Sequence, residues 1–239
     1  MNIAIIFAGG VGKRMNSRTK PKQFLELHGK PILVYTLEHF QRHKQIDGII
    51  LVCLEEWQDY CRMLFENYHL TKVAAIVAGG ETALQSAYNG LCKAQELYPS
   101  DSVVLIHDGV RPLIDEETIT NAIDCVKKHG SAITTSPVVE TIALEGGEKK
   151  IAGTVDRSKC RIAKAPQCFY LGEIIEANRR AQSEGLTEFI DSASLMCYYG
   201  HELYMVPGPE ENIKITKPAD FYIFRAIVDA QESSQIFGI

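Results

Sequence analysis

Short β-rich apolar runs alternate with longer amphipathic segments along most of this chain, and the first run ends in a cluster of glycines. Asn2 to Phe7 precedes Leu33 to Arg42, Gly48 to Val52 precedes Trp57 to Tyr68, and Val73 to Val77 precedes Ala83 to Leu97. Ser102 to Ile106, Glu116 to His129 and Ala132 to Pro137 continue the order. A short apolar run bounded by turn residues suits a strand buried on both faces, and an amphipathic segment between two such strands suits a crossover helix. The expected fold class is therefore α/β, a doubly wound, mostly parallel sheet with helices on both faces. Ligands in that architecture collect at the C-terminal ends of the strands.

Between about Val138 and Cys160 the period changes. Thr141 to Leu144 and Ile151 to Val155 flank Gly146-Gly147, which reads as a β-hairpin on a Gly-Gly turn and hence as a projecting β-arm at about 138–160. The last third predicts helices over Leu171 to Ser183 and about Asp191 to Gly200. Strands follow at Glu202 to Val206 and Ile213 to Thr216, then a closing helix from Pro218 into Ala230. Asp220 falls in the first turn of that helix, where a carboxylate suits the dipole. With no repeat or long linker, the 239 residues read as one domain carrying the arm.

Composition narrows the partners. Charged residues make up 23% and no stretch approaches the roughly 18 apolar residues of a membrane span, so a soluble protein is expected, with no membrane partner. The apolar run Met1 to Phe7 is too short for a signal peptide and has no basic leader, so the expected location is cytoplasmic. The net charge of −5 disfavours a nucleic-acid partner but leaves room for a local basic site that holds a small anion. Seven scattered cysteines without a C-x-x-C pair read as buried reduced thiols rather than a disulfide framework or zinc site.

The strongest local signal follows the first strand: Phe7-Ala8-Gly9-Gly10-Val11-Gly12-Lys13-Arg14-Met15, then Lys20-Pro21-Lys22-Gln23-Phe24. Three glycines let backbone N–H groups approach phosphate oxygens, and Arg14 and Lys22 add cationic charge to the same loop, as a triphosphate cradle requires. Glycine turns after a first strand are common, so the fragment alone is weak. It is not a Walker loop, because Arg14 stands where that motif needs Ser or Thr. Nor does it open a helix, as a dinucleotide-binding turn does.

Further motifs fall in a set order: Ala78-Gly79-Gly80 with Ser86, His107-Asp108-Gly109-Val110-Arg111-Pro112, Val155-Asp156-Arg157, Pro166-Gln167, Asp191-Ser192-Ala193-Ser194-Leu195 and Asn212-Ile213-Lys214-Ile215-Thr216. Together with the glycine loop they resemble the cytidylyltransferase family that contains the methylerythritol-phosphate and ribitol-5-phosphate enzymes, over about Ile3 to Ile227. The resemblance implies transfer of a cytidylyl group from CTP to a small polyol phosphate, with release of pyrophosphate. It also implies dependence on Mg²⁺ and a homodimer joined through the β-arm. On this reading Arg14, Lys22 and Lys214 are the catalytic cations, and Asp108, at a strand terminus, carries Mg²⁺. Ala8, Gly9, Gly10, Gly12, Gly80, Glu81 and Ser86 surround the nucleotide. Arg111 and Asp191 bind the acceptor from one subunit, and Thr141 and Arg157 reach it from the partner's arm. Asp108 and Lys214 also have plain structural readings, as a turn cap and a solvent-facing edge lysine. His107 reads as a structural histidine.

Three departures bear on the substrates. Ala83 replaces an arginine that many relatives carry after the second glycine motif. Ala165-Pro166-Gln167, with Lys164 before it, stands where relatives have Thr-Pro-Gln, and Ile190 replaces a threonine. The arm also lacks a basic residue just after Thr141. Ala83 bears on the pyrimidine pocket, whereas the acceptor-side changes around Ala165, at Ile190 and in the arm favour ribitol 5-phosphate or a similar alditol phosphate, feeding a cell-surface polymer, over methylerythritol phosphate of isoprenoid synthesis. A nucleotide-sugar-dependent glycosyltransferase would share the sheet but should display D-x-D, where this chain has His107-Asp108-Gly109. A non-catalytic nucleotide-binding domain would have little need for Lys22, Asp108 and Lys214 together.

Overall fold

The computed structural model describes residues 1–10, 20–186 and 188–237. The chain opens with β1 (Asn2–Ala8), a two-residue pair β2 (Glu26–Leu27) and β3 (Lys30–Pro31), and α1 (Ile32–Arg42). Then come β4 (Gly48–Cys53), α2 (Gln58–Asn67), β5 (Val73–Ala78), α3 (Ala83–Leu97), β6 (Val103–Asp108), α4 (Glu116–His129) and β7 (Ser131–Pro137). The hairpin β8 (Ile142–Glu145) and β9 (Ile151–Val155) leads into β10 (Arg161–Tyr170), α5 (Leu171–Ser183), α6 (Ser192–Tyr198), β11 (Met205–Pro207) and α7 (Pro218–Phe237).

Seven strands form one sheet in the order β11-β7-β10-β6-β1-β4-β5. Only β10 runs against the rest among the described residues, antiparallel to both β6 and β7. The central strands carry apolar side chains on both faces, and each face has its own helices. Ala4 and Ile6 of β1 pack with α1, α2 and α4. Ile3 and Ile5 pack with α3, α5 and α6. This is the doubly wound arrangement that the alternating segments predict, because strand side chains alternate between two buried faces. A third cluster joins α7 to the front of α1 through Phe224, Val228, Ile32 and Ile215. No helix among the described residues is long and apolar enough to cross a membrane.

Caps set several boundaries. The Asp115 side chain accepts from Thr118 N at the start of α4, and Gly130 ends that helix in the left-handed region at φ 87°. Asp191 caps α6 in a reciprocal capping box with Ser194.

The structure corrects four readings of the sequence. β10 was not expected: its first half, Arg161 to Gln167, mixes charge and a proline into an otherwise apolar strand, and its register shifts between Ala163 and Gln167. Ile213 to Thr216 is not a strand, since its backbone makes a single ladder-like bond, Ile215 N to Val110 O. The arm's turn is longer than Gly-Gly: Gly146 and Lys150 close a loop with Gly147, Glu148 and Lys149 all at positive φ. The cysteines are all free, but Cys197 is exposed and Cys92, Cys125 and Cys160 are only half-buried. The arm itself stands off the main sheet as a separate two-stranded ribbon, with Arg161 opposite Pro137 at its base.

Gly90 sets how closely α3 approaches the sheet. A Cβ there would lie 2.7 Å from Ile5 Cγ2 and 2.8 Å from Val52 Cγ2, both in the core. Gly90→Val therefore is expected to cost about 1–3 kcal/mol through overpacking and to lower Tm by several degrees in a thermal melt. An unchanged Tm would mean that the helix moves away freely.

Candidate active site

Four parallel strands, β1, β4, β5 and β6, end along one edge of the sheet, and a cleft of about 570 Å³ opens over them. That volume lies in the range of small-ligand sites. Its floor is the tip of β1 beside β6, with Phe7 opposite Asp108 in register. This is where the strand order reverses, since the chain runs outward from β1 through β4 to β5 and then returns to the other side of β1 with β6. Because β10 runs backwards, its N-terminal half is delivered to the same edge. Gln167 pairs with Ile106, and Ala163, Lys164 and Gln167 line the cleft.

Asp108 is the electrostatic centre. Its Oδ1 lies 2.6 Å from Lys214 Nζ, and its Oδ2 accepts from Arg111 Nε at 2.9 Å. Burial pushes the Asp108 carboxyl up, but Lys214 and Arg111 outweigh it and hold the group at about 2, so it is a carboxylate at every ordinary pH. Arg111 also donates to Asn212 O at 3.0 Å, and the buried Asn212 side chain donates to Ala165 O at 2.8 Å. Lys22, at the start of a 3-10 turn, donates to Ile215 O at 3.0 Å and passes beside Gly10, where a Cβ would stand 3.6 Å from Lys22 Cε.

On the opposite wall, Gly79-Gly80 follows β5. Ser86 Oγ accepts from Gly80 N at 3.0 Å and donates to Thr82 O, folding the loop onto the start of α3. Gly80 has no room for a side chain because Gln85 fills that space. Asp191 closes the far end. Its Oδ2 accepts from Gln167 Nε2 at 2.7 Å, and Gln167 Oε1 accepts from Ala193 N at 2.8 Å.

The residues singled out from the sequence thus converge in large part. Ala8, Gly9, Gly10 and Lys22 line the cleft with Gly80, Glu81 and Ser86. Asp108, Arg111, Asp191 and Lys214 line it too. Thr141 and Arg157 do not line it: both are exposed on the arm, where Arg157 donates to Val139 O at 2.6 Å. Gly12 and Arg14 lie outside the described residues. His107 is buried at the floor, with Nε2 3.2 Å from Arg111 O, as a structural histidine would be.

Four side chains of the site carried no assigned role: Gln23, Lys164, Gln167 and Asn212. Gln23 is buried and donates to Ala8 O, which fixes the end of β1. Gln23, Gln167 and Asn212 are themselves members of the ordered motifs, so that order was a signal for them. Lys164 was marked by the acceptor-side departure next to Pro166-Gln167, without a role of its own.

A doubly wound sheet with a cationic cleft built around one ionised carboxylate at its switch point defines a nucleotide-handling enzyme of the nucleotidyltransferase class. The chain belongs to the IspD family, 2-C-methyl-D-erythritol 4-phosphate cytidylyltransferase, whose model matches residues 2–230. It is 55% identical over 238 residues, the full length of both chains, to the ribitol-5-phosphate cytidylyltransferase of Vibrio parahaemolyticus. It is 39% identical to the 2-C-methyl-D-erythritol 4-phosphate cytidylyltransferase of Clostridium acetobutylicum, covering 93% of this chain and 95% of that one. Among solved structures, the 4-diphosphocytidyl-2C-methyl-D-erythritol synthase of Anaerococcus prevotii superposes with a TM-score of 0.81 at 28% identity, covering 95% and 96% of the two chains.

The neutral His107 at the floor has a measurable consequence. Burial holds its pKa down to about 3, against 6.5 for the free group, so between those values the unfolded chain binds the extra proton and folding loses stability as pH falls. The free energy of unfolding is expected to drop between about pH 6.5 and 4 by up to about 1.4 kcal/mol per pH unit for this group. His39 and His43, also pushed down by burial, add to the slope. His107→Leu should flatten the profile measured by urea titration in that window. A slope equal to wild type would mean that His107 is charged in the folded protein.

Proposed function

We propose that this enzyme transfers the cytidylyl group of CTP to the phosphate of ribitol 5-phosphate or a closely similar alditol phosphate, releasing pyrophosphate. The observation that carries the acceptor is the 55% identity to a ribitol-5-phosphate cytidylyltransferase over the full length of both chains, against 39% for a relative acting on 2-C-methyl-D-erythritol 4-phosphate. The chain's own departures at Ala165 and Ile190 are in keeping with this, because both line the same cleft as Asp191.

In the reaction an oxygen of the acceptor phosphate attacks the α-phosphorus of CTP. A new P–O bond forms as the bond to the β-phosphate breaks, and its electron pair leaves with pyrophosphate. The acceptor phosphate is ionised near neutral pH, so no protein base or nucleophile is needed. Catalysis is positioning and charge stabilisation. Lys22 and Lys214 are the described cations suited to the developing charge. Ala8, Gly9 and Gly10 line the cleft, and Gly9 and Gly10 place no side chain between their backbone and the triphosphate. Gly80 and Ser86 shape the pyrimidine wall, with Glu81 in reach of the cytosine amino group.

The residues fit Mg²⁺. Asp108 is an ionised carboxylate with lone pairs beyond those taken by Lys214 and Arg111, and magnesium favours one or two carboxylates plus phosphate oxygens. The one group of three potential metal ligands among the described residues, His28, Asp229 and Glu232, is not among the cleft's lining residues. Magnesium held at Asp108 would neutralise charge on the triphosphate.

The arm supports a homodimeric enzyme. Val139, Leu144, Ile151 and Ile162 expose apolar side chains that a single chain leaves uncovered, at 62, 52, 72 and 47%. Thr141 and Arg157 on the same arm would then meet the acceptor in the partner's cleft.

Pyrophosphate release with CTP is expected to be fastest with ribitol 5-phosphate, slower with arabinitol and glycerol phosphates, and weakest with 2-C-methyl-D-erythritol 4-phosphate; ATP should substitute poorly for CTP. Preference for the branched tetritol phosphate would overturn the acceptor. Lys22→Ala and Lys214→Ala should each lower kcat by about 10² or more with smaller effects on Tm.

Mixing tests the shared site. Homodimers of Arg157→Ala and of Lys22→Ala are both impaired, yet a heterodimer has one site with both lesions and one with neither. Activity should therefore return in part on subunit exchange, and its failure to return once exchange is demonstrated would assign Arg157 to its own subunit.

A further inference from the structure

Lys164 is the one described cation of the cleft that sits in a buried position, with 8% of its surface exposed. It stands in the irregular stretch of β10 where the register shifts between Ala163 and Gln167. Bulges of this kind re-aim side chains beside binding sites. Two of its three ammonium protons are used: Nζ donates to Pro209 O at 3.1 Å and to Glu210 O at 2.9 Å. No carboxylate of the described residues pairs with it, whereas Lys214 and Arg111 both hold Asp108. Burial and then the charge of Arg111 push the Lys164 ammonium below the usual lysine range, and the charges of Glu210 and Glu211 offset this only in part. Two carbonyl dipoles are weak compensation for a buried full charge, which ordinarily meets an anion. Lys164 lies on the strand that also carries Gln167, whose side chain holds Asp191, the residue read as binding the acceptor.

Resting on the cytidylyl-transfer reading above, we propose that Lys164 is a specificity-determining residue, whose third N–H and charge receive the phosphate monoester of the acceptor within its own subunit. The acceptor phosphate supplies an anion for this buried charge. Its alditol hydroxyls then extend towards Asp191 and Gln167. An acceptor without that phosphate leaves the ammonium uncompensated and is rejected.

The test is steady-state kinetics of the full-length enzyme and its Lys164→Met and Lys164→Arg variants, with CTP and ribitol 5-phosphate. Lys164→Met should raise KM for ribitol 5-phosphate by roughly 10- to 100-fold, as loss of a charge-assisted contact does, and leave KM for CTP within about threefold. Lys164→Arg, which keeps the charge, should recover most of the loss. If Lys164 served only to pin Pro209 and Glu210, its loss would displace Lys214. Then kcat and KM for CTP would change together with KM for the acceptor, and that result overturns the proposal, as does an unchanged acceptor KM. If the wild-type enzyme turns over no polyol phosphate, the acceptor reading fails on its own. Lys164 is then decided by inorganic phosphate titrated into enzyme saturated with a non-hydrolysable CTP analogue. Its dissociation constant should rise roughly tenfold or more in Lys164→Met, and equal binding by the two proteins refutes the anion role.

Discussion

The paired contact of Asp108 with Lys214 and Arg111 is the interaction on which the cleft depends. Arg111 follows Asp108 by three residues, whereas Lys214 arrives from the far end of the chain, so one carboxylate joins the centre of the sheet to its last connection. Without it, two cations would face each other across a partly buried site, and their repulsion would push the Lys214 segment away. With it, a depressed carboxyl pKa and two oriented cations reinforce one another. Neither cation has to be ordered at the moment a phosphate arrives, and the entropy of that ordering is met during folding.

The direction of β10 has a comparable reach. Six strands share one direction and would bring only their C-terminal ends to the cleft. By running the other way, β10 brings a strand's beginning there, and with it Lys164 and Gln167. The same strand, continuous with the base of the arm opposite β7, fixes where the hairpin leaves the sheet. One reversal thus links this wall of the cleft to the arm.

What the sequence made legible follows from which signals are periodic. The βα alternation gave Ala83 to Leu97 and Glu116 to His129 as helices with the boundaries that the structure has, because each carries a clear apolar face and a capping residue in Thr82 or Asp115. Asp108 was readable as a strand end because Val103 to Ile106 is uninterrupted and apolar. β10 was not readable: its inner half is buried through tertiary contact, and no local propensity marks Lys164-Ala165-Pro166-Gln167 as strand. Ile213 to Thr216 failed in the opposite sense. Its β-branched residues favour a strand, but its one ladder-like bond goes to Val110 in a turn, and propensity without a strand partner gives no ladder. Lys214 still reached the cleft, so the motif order located the residue better than the strand assignment did.

The connection from Gly208 to Lys217 shows how the fold and the charge of the site are solved together. A segment without a ladder must find partners for its backbone carbonyls or leave them to water, and a partly buried one has little water to use. Here the partners are the cations. Lys164 takes Pro209 O and Glu210 O, Arg111 takes Asn212 O, and Lys22 takes Ile215 O. The carbonyl oxygens in turn supply the partial negative charge that lets several cations stand close together in a chain whose net charge is −5. Replacing any one of these cations therefore removes a backbone partner as well as a charge. That coupling is why loss of charge and loss of position must be separated by kinetics that distinguish one substrate from the other.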